Sequence, residues 1–470
     1  MKVAFIHYHL KTGGVTTVLK QQLKALPDHW STLVLTGVCP QAPFPAPWVH
    51  IPELAYSSHY NGRIDPDEVA RTILETIHAR FNSPCDVLHV HNPTLAKNRQ
   101  FIGILNSLQQ KDANLLLQIH DFAEDGRPRA FFTEAYPADC HYSVINRRDY
   151  NILLNAGLNT RGLHLLANTV DYPALTPTPV HSPEPLTLYP VRAIRRKNIG
   201  EAIMLSLFFK DQATLSITLP PNSDADIKSH KDWKAFIKER NLKVVFDRGL
   251  NTDFETNVMS ADSLLTTSIT EGFGFSFLEP WLYGKMLWGR KLPDICRDFE
   301  NKGIQLHHLY SRLLVPVDWF GSQKFRSKWI RCVQAACGLF NHSMDNSRIN
   351  QAFDSITRDG WIDFGLLDEV SQKKVLADLL GDRNKRDRLM ALNPFLANPG
   401  EVQDRHKLIR HNQKAIEQGY NQQEYGRTLC AIYDRVATTT VKQNIDKRAL
   451  TAAFLNLENF SLLKWSDYTG

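Results

Sequence analysis

Residues 268–284 read S-I-T-E-G-F-G-F-S-F-L-E-P-W-L-Y-G. The seven residues before them, 261–267, combine apolar and β-branched side chains, which predicts a buried strand that ends where the glycines begin. A helix is predicted to start near Phe275. Gly272 and Gly274 let the backbone approach a ligand closely, and the N–H groups of a new helix favour an anion. The pattern therefore predicts an α/β domain with a ligand-binding turn at a strand end.

Two glutamates flank this turn. Glu271 is predicted to lie in the loop and Glu279 about one turn into the helix. Carboxylates accept hydrogen bonds from hydroxyls, and backbone amides hold phosphates, so the pattern suits a ligand that carries both groups. The alternative is an ordinary strand, turn and helix in which both glutamates are solvated or cap the helix.

The run E-G-F-G-F-S-F-L-E resembles the donor-site signature of retaining nucleotide-sugar glycosyltransferases of the GT-B fold, in particular those of the family 4 type. The resemblance implies that Glu271 lies against the transferred sugar and acts in catalysis, and that Glu279 binds the ribose of the donor. Backbone amides are implied to hold sugar hydroxyls and phosphate at Gly272, Phe273, Gly274 and Phe275. The implied fold is α/β: two Rossmann-like, doubly wound parallel-sheet domains that face a cleft, with a helical C-terminal extension.

Length and composition indicate a two-domain globular enzyme. The chain has 470 residues, of which 43% are hydrophobic, 10% aromatic and 22% charged. No apolar run approaches the roughly 18 residues of a membrane span, although peripheral membrane contact stays open. The seven cysteines are odd in number and include no C-x-x-C, which favours reduced thiols in the cytoplasm. A net charge of +6 without a basic tail argues against nucleic-acid binding.

The first half of the chain alternates strands and helices, which predicts a parallel sheet. A strand at 3–7 is followed by Gly13 and Gly14 and then by a helix at 16–26. The glycine pair could serve packing alone. Its place at the end of a first strand, however, is where doubly wound sheets bind ligands. The resemblance implies a glycine loop here that closes over the donor and the acceptor.

A second candidate group follows the predicted strand at 115–119. His120 could be an ordinary buried histidine, but the resemblance implies that it lies beside the reacting sugar and acts in catalysis. Asp121 and Glu124 are secondary candidates for contact with the acceptor. Four arginines near this region allow either a solvated face or a patch for an anionic acceptor, with the solvated face as the simpler interpretation: Arg127, Arg129, Arg147 and Arg148.

The second half opens with a strand at 186–190 and a loop that contains four cations within six residues. Such a loop can hold a diphosphate, because arginine offers a fork of donors and lysine a point charge. It could also be a solvated, charged loop. Arg192 and Lys197, five residues apart, match the pair that holds the donor diphosphate in the family. Arg195 and Arg196 receive no role.

Two short motifs raise the alternative of a metal site. We expect His89 and His91 to point to opposite faces of their strand, and so not to share an ion. Asp224 and Asp226 form a D-x-D, which we expect to be solvent-exposed in a polar loop. The prediction is therefore no cofactor and no metal, with a nucleotide diphosphate sugar as the co-substrate.

The predicted domains are 1–178 for the acceptor, 179–445 for the donor with a helical extension, and a closing helix at 446–470 that can cross back to the first domain. A strand at 313–317 is expected to be the last. The predicted reaction is retaining transfer of a hexose to the hydroxyl of an unidentified acceptor. The alternatives are a GT-B sugar phosphorylase, a sugar-nucleotide epimerase, or a non-catalytic sugar-nucleotide-binding protein. The last would break the set Arg192, Lys197, Glu271 and Glu279, which is complete here.

Overall fold

The computed structural model describes residues 1–60, 62–172 and 184–465. The chain divides into two compact units. Unit 1 comprises Met1–Val170 and Gly419–Phe454, and unit 2 comprises Asp171–Gln418 and Leu455–Gly470. The domain boundary predicted at 178/179 falls within 173–183, outside the described residues.

Strands and helices alternate through the first part of unit 1, in this order: β1 (Lys2–His7), α1 (Gly14–Ala25), β2 (Ser31–Thr36), β3 (Trp48–His50), α2 (Pro66–Phe81), β4 (Val87–His91), α3 (Phe101–Gln110), β5 (Leu115–Ile119), β6 (His141–Val144), α4 (Arg147–Asn155) and β7 (Leu163–Leu165).

Unit 2 begins with a second alternating series: β8 (Leu186–Arg192), α5 (Ile199–Ser206), β9 (Thr214–Leu219), α6 (Asp224–Glu239), β10 (Val244–Val245), α7 (Phe254–Ser260), β11 (Ser263–Thr266), α8 (Glu279–Leu282), β12 (Met286–Gly289) and α9 (Pro293–Glu300). The remainder of the chain, which belongs partly to unit 1, is mainly helical, as predicted: β13 (Leu314–Pro316), α10 (Ser322–Leu339), α11 (Asn346–Ile356), β14 (Trp361–Asp363), α12 (Glu369–Gly381), α13 (Arg383–Leu392), α14 (Arg405–Gly419), α15 (Gln422–Thr438), α16 (Lys447–Phe454) and α17 (Leu462–Trp465).

Unit 1 contains a seven-stranded parallel sheet in the order β3-β2-β1-β4-β5-β6-β7. The direction of winding reverses between β1 and β4, so the carboxyl ends of these strands border the crevice where doubly wound sheets bind ligands. One face packs on α2 and α3, with Ile73 and Leu105 in its core. The other face packs on α1 and α15.

The helix α15 belongs to unit 1, whereas the sequence prediction assigned residues 419–445 to the donor domain. The reason lies in the packing of its apolar face. Leu429 and Tyr433 are completely buried in the same core as Phe5 and Val34 of the first two strands. This long-range contact leaves no local mark in the sequence.

Unit 2 contains a five-stranded parallel sheet in the order β10-β9-β8-β11-β12, with its reversal between β8 and β11. The predicted architecture of two doubly wound parallel sheets with a helical C-terminal region is thus confirmed. The strand expected to be last, β13, is not. It pairs antiparallel with β14, whose three residues are too few to give a periodic signal.

No helix within the described ranges is long and apolar enough to cross a membrane.

Candidate active site

The glycine turn predicted to bind a ligand follows β11 in unit 2. Gly274 has φ of 95°, and a Cβ there would approach the ring of Phe277 to 3.0 Å, so both conformation and space require glycine. The helix predicted near Phe275 begins instead as a three-residue 3-10 turn, and α8 starts only at Glu279. Pro280 has no N–H for a helical hydrogen bond, which interrupts the helix here. Glu279 is therefore the first residue of α8, rather than lying one turn inside it.

The cationic loop after β8 lies beside this turn, because β8 and β11 are neighbours in the sheet. Its residues Arg195–Lys197 form a 3-10 turn. The carbonyl of Lys197 accepts hydrogen bonds from Tyr189 Oη (2.8 Å) and Thr267 Oγ1 (3.0 Å). The carbonyl of Arg196 accepts from the N–H of Ile269 (3.0 Å). The two loops are therefore bonded to each other at the reversal point of the sheet.

Glu271 lies between two cations of that loop. Lys197 Nζ donates to Glu271 Oε1, and Arg196 Nη1 donates to Glu271 Oε2 at 3.2 Å. Burial tends to raise the pKa of Glu271, but Lys197 and Arg196 outweigh it and lower the pKa to about 2. Burial also lowers the pKa of Lys197, while Glu271 opposes that change. The group is a buried, ionised carboxylate flanked by positive charge.

The structure brings Arg196, rather than Arg192, to Glu271. Arg192 is exposed at the end of β8, and its Nη1 donates to the carbonyl of Pro220 at 2.6 Å. Sequence reasoning gave Arg196 no role because only the spacing of Arg192 and Lys197 matched the family pattern. Glu271 itself pointed to such a partner, because a carboxylate that is buried must be paired with positive charge. The loop after β8 contains four basic residues that could provide it.

Arg195 makes an ion pair with Asp226 at 3.3 Å. Asp224 is exposed, as expected, and Asp226 is partly buried, but the assignment of the two to a loop is wrong, because both belong to the first turn of α6, which Ser223 caps. Acidic residues are favoured in a first helical turn by the helix dipole. Asp226 therefore helps to hold the cationic loop.

Glu279 differs from Glu271 in its electrostatic surroundings. Burial raises the pKa of Glu279 to about 7, and Asp171 adds to the rise while Lys197 opposes it. The carboxyl group is thus half protonated near neutral pH. Such a group can accept hydrogen bonds from ligand hydroxyls without a fixed charge.

A buried polar network lies beneath the cationic loop, and sequence reasoning missed it. Asn198 has φ of 53° and donates to Glu201 Oε2 at 2.6 Å. Glu201 also receives both Nε and Nη2 of Arg290, at 2.8 and 2.6 Å. Arg290 in turn donates to both oxygens of Asp363 at 2.7 Å. The network therefore holds Asn198, the residue that follows Lys197 in the cationic loop, in place.

In unit 1, the predicted glycine loop precedes α1. Gly13 has extended backbone and Gly14 is the first helical residue, and both are exposed. A Cβ added at Gly14 would meet no atom within 4 Å. Packing within the described residues therefore gives no reason for glycine at position 14.

His120 lies at the end of β5, as predicted, and is 6% exposed. Its Nε2 lies 2.9 Å from Nδ1 of His91, and its backbone N–H donates to Asn92 Oδ1 at 2.8 Å. Burial lowers the pKa of His120 to about 4. The imidazole is therefore neutral at physiological pH and can either donate or accept a hydrogen bond.

The expectation that His89 and His91 point to opposite faces is wrong. Their rings stack with centroids 4.6 Å apart, because residues two apart on a strand share a face. His89 Nδ1 lies 2.7 Å from Tyr433 Oη. The pair extends a row of imidazoles toward His120.

The two secondary candidates lie in different surroundings. Asp121 is partly exposed and pairs with Arg127 Nη2 at 2.7 Å. Glu124 is completely buried and accepts from Tyr136 Oη at 2.9 Å, and burial raises its pKa. Of the two, only Asp121 reaches the surface of unit 1.

The two parallel sheets have the GT-B architecture, and similarity to a known synthase over nearly the whole chain shows that the chain is a glycosyltransferase. It is 25% identical over 520 aligned positions to mannosylglucosyl-3-phosphoglycerate synthase of Petrotoga mobilis, a match that covers 97% of this chain and 98% of that enzyme. No protein-family model matches the chain.

Solved structures with the same fold include three with distant sequences. A glycosyltransferase from Rickettsia africae superposes with a TM-score of 0.52 at 13% identity, over 93% of this chain and 99% of its own. Sucrose-phosphate synthase from Thermosynechococcus elongatus gives 0.51 at 14% identity, over 92% and 98%. Anabaena Alr3699/HepE in complex with UDP-glucose gives 0.50 at 12% identity, over 92% and 98%.

Proposed function

We propose that this glycosyltransferase moves a hexose from a nucleotide diphosphate sugar to an acceptor hydroxyl, with retention of anomeric configuration. The observation that carries the proposal is the ion-paired group of Glu271, Lys197 and Arg196 at the reversal point of the unit 2 sheet. A structure of the same fold that contains UDP-glucose supports the choice of donor.

Lys197 and Arg196, together with Arg192, would stabilise the negative charge that develops on the leaving diphosphate. A preorganised cation in a partly buried site contributes more than a solvated one, because no water has to reorganise during the reaction. Glu271, with a pKa of about 2, is ionised throughout the physiological range and cannot donate a proton. It would accept hydrogen bonds from hydroxyl groups of the transferred sugar.

The bond between C1 of the sugar and the diphosphate oxygen breaks, and the acceptor oxygen bonds to C1. The acceptor proton passes to an oxygen of the leaving phosphate, so no protein base is needed. Because three protein cations are available for the diphosphate, we propose that transfer needs no metal ion, and activity should be unchanged in EDTA.

The name of the Petrotoga mobilis relative suggests the acceptor class. We propose that this chain adds a hexose, mannose in the first instance, to a glucosyl group that is linked to 3-phosphoglycerate. The residues of unit 1 proposed to contact substrates are His120 and the partly exposed Asp121.

The test is transfer by the full-length chain. A panel of nucleotide diphosphate hexoses is incubated with glucosyl-3-phosphoglycerate, products are identified by mass spectrometry, and the coupling constant of the new anomeric proton reports retention or inversion. We expect Lys197→Ala to lower kcat by about 10²- to 10³-fold, the usual cost of removing one donor to a developing anion. The matched control is Lys210→Ala, an exposed lysine of the same unit paired with Glu401.

Three outcomes would contradict the proposal. A requirement for inorganic phosphate would identify a phosphorylase. Conversion of the donor without an acceptor would identify an epimerase. Retained turnover in Lys197→Ala, with a melting temperature like that of the wild type, would remove the proposed role of the cationic loop.

A further inference from the structure

Basic side chains of unit 1 gather at the carboxyl edge of its sheet, outside the glycine loop and His120. His9 and Lys11 follow β1, and Lys97 follows β4. These are the two strands at which the winding reverses, so all three side chains follow strand ends at the edge where doubly wound sheets bind ligands. Arg127, beyond β5, joins the same group.

Tyr56 connects these residues. Its Oη lies 3.2 Å from His9 Nε2, and Lys97 Nζ lies 5.8 Å from its ring centroid. The ring packs on that of Tyr8, with centroids 5.3 Å apart, and the carbonyl of Lys97 accepts from the N–H of Ser57 at 2.8 Å. The loop after β3 is therefore bonded to the loop after β4, and Tyr56 contacts both His9 and Lys97.

The charges in this group do not cancel. Within the described part of the chain, no carboxylate lies within 4.0 Å of the ammonium groups of Lys11 or Lys97. Partial burial and the nearby Arg127 lower the pKa of Lys97, and Asp121 is the one carboxylate that opposes them. Asp121 is itself paired with Arg127 at 2.7 Å. Lys11 likewise contributes, after burial, to lowering the pKa of His9.

We propose that His9, Lys11, Tyr56, Lys97 and Arg127, here called the cationic edge, bind the acidic group of the acceptor. Two ammonium groups, a guanidinium fork, and hydroxyl and imidazole donors suit a phosphate or a carboxylate. The proposal rests on the proposed function, because it assigns the acidic part of the acceptor to unit 1. Asp121 sets the orientation of Arg127. Lys11 and Lys97, which no described carboxylate balances within 4.0 Å, favour an anionic ligand over an uncharged one.

The experiment measures binding of the acid itself, without turnover. The probe is 3-phosphoglycerate, followed by ³¹P NMR line broadening with the full-length chain. We expect Lys97→Ala to raise the dissociation constant by about tenfold, the value of one charge-assisted contact. Lys11→Ala should act in the same direction. The matched control is Lys111→Ala, an exposed lysine at the end of α3, which should leave binding within twofold of the wild type.

Nucleoside diphosphate binding is measured on the same samples and should stay within twofold of the wild type in every variant. Absence of nucleotide binding by the wild type would contradict the proposed function. Absence of 3-phosphoglycerate binding by the wild type, or unchanged affinity for it in Lys97→Ala, would contradict the cationic edge alone. Equal affinity for inorganic phosphate and 3-phosphoglycerate would also overturn the assignment, since it would indicate a site for the free ion. Glycerate and glycerol 3-phosphate separate the contributions of the carboxylate and the phosphate.

Discussion

Glu271 and Glu279 show how two buried carboxylates of one turn acquire different properties. Glu271 receives hydrogen bonds from Lys197 and Arg196, and its pKa is about 2. Burial dominates at Glu279, where the pKa rises to about 7. Both carboxylates lose hydration, which by itself raises the pKa. The two pKa values differ because only Glu271 is hydrogen-bonded directly to cations.

The raised pKa of Glu279 predicts a pH dependence of nucleotide binding. Ribose hydroxyls donate more strongly to an ionised carboxylate than to a protonated one. We expect the affinity for a nucleoside diphosphate to increase by about fivefold as the pH rises through 7, the difference between a charged and a neutral hydrogen bond. Titration calorimetry on the wild type and on Glu279→Gln measures it.

In Glu279→Gln this dependence should be absent. Ionisation of the diphosphate affects both proteins equally, so the difference between them isolates the carboxyl group. An identical pH profile in the two proteins would exclude Glu279 from the nucleotide site.

At this scale the sequence predicted Lys197, Glu271 and Glu279 as one group, because motif spacing carries that information. It did not predict Arg196, whose contact with Glu271 depends on the 3-10 turn of its loop. It also placed His89 and His91 on opposite faces, an error of strand geometry rather than of chemistry.

Among the elements, the loop between β8 and α5 depends most on distant residues. Its last residue, Asn198, holds a left-handed backbone and donates to Glu201 at 2.6 Å. Its Oδ1 accepts from Gln372 at 2.9 Å. Glu201, Arg290 and Asp363 come from α5, from the end of β12 and from β14, so three separate parts of unit 2 fix this one loop.

Asn198→Ala should weaken both stability and donor binding. The variant loses a hydrogen bond to a charged group and keeps a left-handed backbone, which together cost about 2 to 4 kcal/mol. We expect a lower melting temperature and a raised KM for the donor, with the KM for the acceptor unchanged. Both constants are obtained from initial rates.

Asn241→Ala is the control, because Asn241 is exposed and has φ of 50° without this network. It should lower the melting temperature slightly and leave both KM values unchanged. If Asn198→Ala changed the two KM values equally, the network would stabilise unit 2 without positioning the donor loop.

For the whole molecule, the buried histidines of unit 1 predict a loss of stability in acid. Burial lowers the pKa of His89 to about 3 and that of His120 to about 4, and also lowers those of His7 and His91. The unfolded chain binds protons at its ordinary histidine pKa of about 6.5, so the folded state loses stability as pH falls below that value. Each histidine contributes about 1.4 kcal/mol per pH unit in this window.

Melting temperatures between about pH 7 and pH 5 test this, since the ordinary histidine pKa lies within that range. We expect a steady fall in the wild type and a smaller fall in His89→Gln, which has one buried imidazole fewer. His29→Gln changes an exposed histidine and should follow the wild type. Equal slopes in all three proteins would contradict the prediction.

The alternating series and both glycine turns were predictable, because strand and helix periodicity is local. The assignment of residues 419–445 to unit 1 was not, since it depends on Leu429 and Tyr433 meeting Phe5 across more than four hundred positions. The same holds for β14, which pairs with a strand of only three residues.

The order of the chain through the two units has a consequence for biosynthesis. A ribosome releases the strands of unit 1 first, yet the face that carries Phe5 and Val34 is covered only when α15 has emerged. In unit 2, the ring of Trp329 packs on that of Phe460, which stacks on Trp465, so this contact also forms only after the last part of the chain has been made. The core of unit 1 therefore closes only after α15 has been made, and that of unit 2 only after translation has passed Phe460. Until then the nascent chain carries apolar surface that chaperones can engage.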